Sequence, residues 1–216
     1  MILPLRSAAD AEPAAPQVGE HLSRHGLLGY PTDTVYGLGS AADPESLDRL
    51  ARLKGRPAGK PFLLLVASRA MAERSGLIFS RAADALAEAF WPGPLTLVLR
   101  GGEGILPDRL RGPEGGIAVR HPSNRAVVRL IELLGRPLTS TSANRPGQAP
   151  AAGAEQLVIL FQSAYDAGDL LVLDGGPLGN VPPSTIVDCT GPVTRLIREG
   201  ARPRAELRRA VGSLAP

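Results

Sequence analysis

Short, unbroken apolar runs set between helical segments constrain the fold of this chain more than any other feature. "GLLGYPT", "FLLLV" (Phe62–Val66), "LTLVLR" (Leu95–Arg100), "GIAVR" (Gly116–Arg120) and "LLVLD" all read as strands. Five apolar residues in a row at Phe62–Val66 are too short for a helix between Gly and Pro breakers. Runs without polar alternation predict strands covered on both faces. Helical patterns fall between them. Pro44–Lys54 sets Leu47, Leu50 and Leu53 at helical spacing, and Ser80 can cap "RAADALAEAF". Ser123 can cap "NRAVVRLIELLG", with Gly135 as its stop. Further helices are predicted at Gln17–His25, near Glu155–Gln162, and from Pro203, as a first-turn residue, into "RAELRRAVG". The last three strand patterns, ending in "STIVDC" and "VTRLIR", have no helix between them, so part of the sheet should be antiparallel. The expected fold is α/β: one domain with a twisted mixed parallel/antiparallel sheet and flanking helices.

The 216 residues are enough for one domain with a large core. The opening "MILPLRSAADAEPAAP" is broken by Pro4, Arg6 and Asp10 and lacks the apolar centre of a signal peptide. It reads as a short leader, residues 1–16, before a catalytic domain at 17–212. No apolar run approaches the ~20 residues that span a bilayer. A lone Cys189 excludes an internal disulfide and a multi-cysteine metal site, and a cytoplasmic protein is expected. Net charge is only +3, which permits anionic partners without demanding them. The kind of basic residue says more. Of 24 Lys and Arg, the only lysines are Lys54 and Lys60, both in "RLKGRPAGKP". Lysine is a compact point charge on a flexible stem, arginine a planar fork. The pattern suits a loop meeting phosphate or carboxylate oxygens; chance clustering is the plain alternative.

Several familiar sites are excluded. "GRPAGKP" is one spacer short of a P-loop and has Pro61 where a hydroxyl is required. No G-x-G-x-x-G follows a strand. His21 and His25 sit four apart on a predicted helix without a third ligand nearby, and read as surface residues. "LTSTSANRPG" is more telling: Thr139, Ser140, Thr141 and Ser142 run off a strand end to meet Asn144 in a turn. Those hydroxyls can bind phosphate or ribose, or can satisfy their own backbone. Arg120 ends a strand, where α/β sheets bind ligands, and its fork suits a carboxylate. Ser184 and Thr185 begin a strand, and Arg198 ends one. In "GYPTDTVYGLGS", Tyr30 and Tyr36 read as wall residues around Thr34, and Asp33 as a turn residue without an assigned role. Trp91 reads as core.

Taken in order, "PTDTVYGLG", "KGRPAGKP", "WPGPLTLVL", "AVRHPSN", "STSAN", "PSTIVD" and "IREG" resemble the YrdC-type L-threonylcarbamoyl-AMP synthases across about Gly19 to Gly200. The resemblance implies a twisted sheet with a basic concave cavity. It implies synthesis of threonylcarbamoyl-AMP and pyrophosphate from L-threonine, bicarbonate and ATP. Mg²⁺ would be carried with ATP, without dedicated protein ligands. The product would pass to a tRNA threonylcarbamoyl-transfer complex; direct contact with tRNA is compatible, and a membrane is not involved. By motif, Lys54 and Arg56 would hold phosphates as the catalytic clamp, with Arg56, Lys60, Ser142, Asn144 and Arg198 on ATP. Thr34, Arg120, Ser140 and Ser184 would meet threonine. Two positions depart from common family forms: Leu65 stands where histidine lies near the threonine, and Gly116 where threonine contacts ATP. The chain also ends too early for the extra C-terminal domain of some members. Two alternatives remain. An RNA-binding module would use Arg195, Arg198, Arg202, Arg204, Arg208 and Arg209, but one Trp, three Tyr and four Phe offer few stacking platforms. A YciO-like nucleotide-binding protein would share "PTD", "STS" and "REG", yet lack the "KGR" and "SAN" that are intact here.

Overall fold

Each apolar run expected as a strand contains one in the computed structural model, which describes residues 1–56, 60–179 and 181–215. Residues 57–59, the middle of the lysine loop, lie outside the described residues. The strands are β1 (Ile2–Pro4), β2 (Leu27–Tyr30), β3 (Gly37–Gly39), β4 (Leu63–Leu65), β5 (Leu77–Ile78) and β6 (Leu95–Gly101). They continue as β7 (Ile117–Arg120), β8 (Leu138–Ser142), β9 (Leu170–Asp174), β10 (Thr185–Asp188) and β11 (Arg195–Arg198). The helices are α1 (Ala8–Ser23), α2 (Pro44–Lys54), α3 (Arg69–Arg74), α4 (Arg81–Phe90), α5 (Arg125–Leu134), α6 (Ala154–Leu160), α7 (Gln162–Asp166) and α8 (Arg204–Val211). Among the described residues no helix is long and apolar enough to cross a membrane.

The strands form one sheet in the order β1-β9-β2-β3-β8-β4-β7-β6-β10-β11, with β5 added to β6. Pairing is mixed, as expected: β9 runs parallel to β1 and β2, whereas β3 and β8 pair antiparallel and β10 and β11 likewise. Central strands are mostly buried, with Leu28, Leu64, Leu65, Leu97 and Val119 all at 0% exposure, which explains their lack of polar alternation. At β2 the pleat separates two uses of the sheet. Gly29 leaves room for Leu157 of α6 on one face, and Tyr30 points to the other.

Three expectations are corrected. The first sixteen residues are not a frayed leader: β1 pairs with β9, and α1 begins at Ala8 rather than Gln17. Pro13 and Pro16 lie inside it, although an interior proline removes a hydrogen bond and clashes with the preceding turn. The helix carries through them because Ala11, Ala14, Val18 and Leu22 are buried where α1 packs along α5. Its start is fastened by Asp10, which accepts the backbone N–H of both Arg6 and Ser7 at 2.8 Å. The cap of α5 is Asn124, accepting from Ala126 and Val127, and Ser123 is used elsewhere. Pro203 precedes α8 as its N-cap instead of lying in the first turn.

Candidate functional site

Strand register builds the first half of the site. Arg120 of β7 pairs with Leu65 of β4, which pairs with Leu138 of β8. Two residues on, Ser140 shares that face, and Ser142 pairs with Gly37, itself opposite Tyr30. On the other side Val98 pairs with Ala118, so Thr96 lies on the Arg120 face, and Thr96 pairs with Ile186, opposite Arg198. Six separate motifs therefore deliver side chains to one face. Small residues keep it open. A Cβ on Gly39 would stand 2.1 Å from the Thr139 carbonyl and 2.8 Å from the Tyr30 ring, and one on Gly37 would stand 3.1 Å from Ser140 Oγ.

Hydrogen bonds then fix the groups. Ser184 Oγ lies 2.9 Å from Thr96 Oγ1, and Arg198 donates to the Ser184 carbonyl through Nε and Nη2 at 3.2 and 2.7 Å. Burial lowers the Arg198 pKa and the nearby charge of Arg120 lowers it further. Arg198 thus stands with Ser184 and Arg120. Tyr30 is buried and donates to the Thr139 carbonyl, with its phenol pKa raised by desolvation; Tyr36 donates to the Gly176 carbonyl. Both are wall residues, as expected. Thr32 Oγ1 donates to the Val35 carbonyl, so in its 3.1 Å contact with Thr34 Oγ1 the proton comes from Thr34. The Thr34 oxygen keeps its lone pairs for a donor.

Asp33, given no role from sequence, faces Arg120. The side chains are 8% and 3% exposed, and Arg120 Nη2 lies 3.2 Å from Asp33 Oδ1. The other carboxylate oxygen accepts from the Ser123 hydroxyl and N–H at 3.1 and 3.3 Å. Burial lowers the Arg120 pKa, against the opposing pull of Asp33.

The second half lies where α2 meets the end of β8. Gly55, at φ 60, stops α2 directly after Lys54. The Lys54 ammonium donates to the Ser142 and Asn144 carbonyls at 2.6 Å each and to Asn144 Oδ1, while Ser142 Oγ donates to that same oxygen. Burial, and secondarily Arg56, push its pKa down to about 8. Its three protons are engaged with the "SAN" turn, so Lys54 ties the end of α2 to that turn. Arg56 stacks on Phe62 at 4.7 Å and donates to Thr141 Oγ1, the Lys60 carbonyl and the Pro61 carbonyl. Three of its five N–H groups are used, and burial lowers its pKa. Arg56 and Lys60 line a cavity of about 160 Å³ with Pro61, Phe62, Asp108, Arg109 and Arg111. Ser142 and Asn144 join this half through Lys54; Thr34, Arg120, Ser140, Ser184 and Arg198 form the other.

The departures from family form have structural readings. Leu65 is fully buried beside Arg120, giving that arginine an apolar neighbour. At Gly116 a Cβ would meet Thr190 Cγ2 and Val98 Cγ1 at 2.6 Å, so these side chains fill the space a threonine would need. Sequence reasoning missed Thr96, Arg109 and Arg111. Thr96 had a signal, as a hydroxyl inside an apolar strand; the two arginines had none.

Fold and site define a class: an α/β protein whose open mixed sheet gathers arginines and hydroxyls on one face. Narrower evidence comes from relatives. The profile of the Sua5/YciO/YrdC family, described as telomere recombination, matches residues 20–200, and the chain belongs to that family. A threonylcarbamoyl-AMP synthase of Pyrococcus abyssi is 35% identical over 189 residues, covering 87% of this chain and 54% of the relative. The chain thus spans about half the length of that relative. One from Thiobacillus denitrificans is 35% identical over 88% of this chain and its own whole length. Among solved structures, P. abyssi Sua5 complexed with L-threonine superposes with a TM-score of 0.86 at 32% identity, covering all of this chain and 62% of that one. Escherichia coli YciO follows at 0.81 and 27% identity, with 94% of this chain and 97% of that one covered.

Proposed function

We propose that the chain is an L-threonylcarbamoyladenylate synthase, a nucleotidyltransferase that forms threonylcarbamoyl-AMP and pyrophosphate from L-threonine, bicarbonate and ATP. The observation carrying this reading is the pairing of two half-sites along one strand. Ser140 of β8 shares a face with Arg120, and Ser142, two residues on, is held with Asn144 by Lys54. A P. abyssi relative of the same name supports it, as does a neighbour solved with L-threonine.

In the proposed reaction, the threonine carboxylate sits on Arg120, with Thr34, Ser140 and Ser184 around the rest of the amino acid. The amine and bicarbonate lose water to give a carbamate. A carbamate oxygen attacks the α-phosphorus, the bond to the β-phosphate oxygen breaks, and pyrophosphate leaves. No protein nucleophile is needed; positioning and charge neutralisation dominate. Arg56, Lys60 and Arg198 supply positive charge, Ser142 and Asn144 meet the nucleotide, and Lys54 positions that turn. Mg²⁺ enters this proposal only as the counter-ion of ATP, with no step routed through it. A cytoplasmic setting, transfer of the product to tRNA-modifying machinery and contact with tRNA complete the proposal.

The test is incubation with ATP, labelled bicarbonate and L-threonine, with L-serine as control. A labelled adenylate and one equivalent of pyrophosphate are expected. ATP binding without either product would favour a YciO-like nucleotide-binding role and refute the synthase.

A further inference from the structure

The Asp33–Arg120 pair is buried, yet neither partner is satisfied. Among the described residues Asp33 Oδ1 and Arg120 Nε are both buried without a hydrogen-bond partner, because the 3.2 Å approach lacks hydrogen-bond alignment. Native proteins rarely leave such atoms unpaired without a use for them. The Ser123 hydroxyl and N–H brace the second carboxylate oxygen, so Asp33 is held through the oxygen that Arg120 does not approach.

The geometry points to Asp33 as the residue that makes the Arg120 subsite select a zwitterionic amino acid over an otherwise identical anion. This rests on the proposal that Arg120 receives the ligand carboxylate. Arg120 and Asp33 together carry no net charge. A ligand carboxylate placed on Arg120 also meets the like charge of Asp33, which is costly in a desolvated site. An α-amino acid brings its own ammonium and restores neutrality, and the accepting lone pairs of Thr34 lie on the same segment as Asp33. Arg198 also acts on this region and by itself favours the anion, but it is present in the wild type and in every Asp33 variant, so a change in the ligand ratio between them reads Asp33. Asp33 therefore acts through Arg120 as a positioning and selectivity residue, and takes no part in bond making.

The experiment is calorimetric titration, without ATP, of L-threonine and of 3-hydroxybutyrate, which is threonine without the amine. The wild type should prefer threonine. Asp33→Asn keeps the acceptor for Ser123 and removes the charge; the threonine-to-hydroxybutyrate affinity ratio should fall by about tenfold or more, since stranded buried charges are worth at least that. Asp33→Glu, which keeps the charge, should retain the preference even if both ligands weaken. A ratio unchanged within about twofold in folded Asp33→Asn overturns the inference. Should that variant fail to fold by thermal melting, Ser123→Ala, which frees the carboxylate to swing from Arg120, should lower the ratio in the same direction, and no change there overturns it. Arg120→Gln checks the underlying reading separately: retained threonine binding in that variant removes Arg120 as the carboxylate site whatever Asp33 does. No threonine binding by the wild type overturns both.

Discussion

Replacing Lys54 by methionine keeps the length of the side chain and removes its charge and donors. Two backbone carbonyls at 2.6 Å and the Asn144 side-chain oxygen lose an ammonium partner. Hydrogen bonds to a charged group contribute about 1.5–3 kcal/mol each, so the two backbone bonds account for about 3–6 kcal/mol. Against this, burial that lowers the Lys54 pKa from 10.5 to about 8 corresponds to about 3 kcal/mol of penalty on the charged form, which the mutant escapes. The net loss of stability should be about 0–3 kcal/mol, measured by urea unfolding at pH 7. Nucleotide binding should fall by about tenfold or more, because Ser142 and Asn144 lose the group that fixes their turn and the site loses a positive charge. The pH dependence adds a second signature. A folded-state pKa below the unfolded value means that, between about 8 and 10.5, the unfolded chain binds more protons, so stability contributed by this group rises with pH across that window. Nucleotide affinity should move the other way, falling as pH rises through about 8. Lys54→Met should show neither trend. Wild-type nucleotide affinity in Lys54→Met, with an unchanged pH profile, would refute the organising role given to this lysine.

Other outcomes follow from the same geometry. Gly39→Ala should destabilise by about 3 kcal/mol or more, or fail to fold, because the methyl meets the Thr139 carbonyl at 2.1 Å and backbone cannot yield cheaply; a melting temperature within a few degrees of wild type would contradict this. Gly116→Thr, which restores a common family residue, should lower stability by about 1–3 kcal/mol through its clash with Val98 and Thr190, and should not tighten ATP binding. Arg56→Gln should lose the Thr141 and Pro61 bonds and weaken ATP by about tenfold while leaving threonine affinity unchanged, since it lies in the other half-site; calorimetry with each ligand alone reads both.

The strands and the helices of the chain's interior were legible because burial and period act over neighbouring residues. Continuous apolar runs report a strand covered on both sides, and the Leu47–Leu50–Leu53 spacing reports one face of α2. Long-range compensation was not legible. Nothing local says that α1 survives Pro13 and Pro16, because its stability comes from packing along α5, more than a hundred residues away. The same limit applied to the site. Residue types and motif order picked Arg120, Ser140 and Ser184 before any pairing was known. That Lys54 spends its donors on Ser142 and Asn144, or that Asp33 faces Arg120, depends on how β3, β8, β4 and β7 lie side by side. Ser123 illustrates the confusion well. Its position before a helix reads as a cap, but Asn124 takes that role and leaves the Ser123 hydroxyl for Asp33.

Strand β8 also explains why the two half-sites are built where they are. Successive residues of a strand point to opposite faces, so "TST" can serve both sides of the sheet within three residues. Thr141 accepts from Arg56, whereas Ser140 lies on the face of Arg120. A helix would need three or four residues between groups on one face and could not place adjacent hydroxyls on opposite sides. In the proposed reaction the carbamate and the α-phosphate would meet near the end of the strand, at Ser142, which lies on the face that Ser140 shares with Arg120. The Lys54 ammonium closes the Ser142–Asn144 turn. Shifting β8 by one residue would exchange the two faces, placing Thr141 towards Arg120 and Ser140 towards Arg56, with the turn no longer in reach of Lys54.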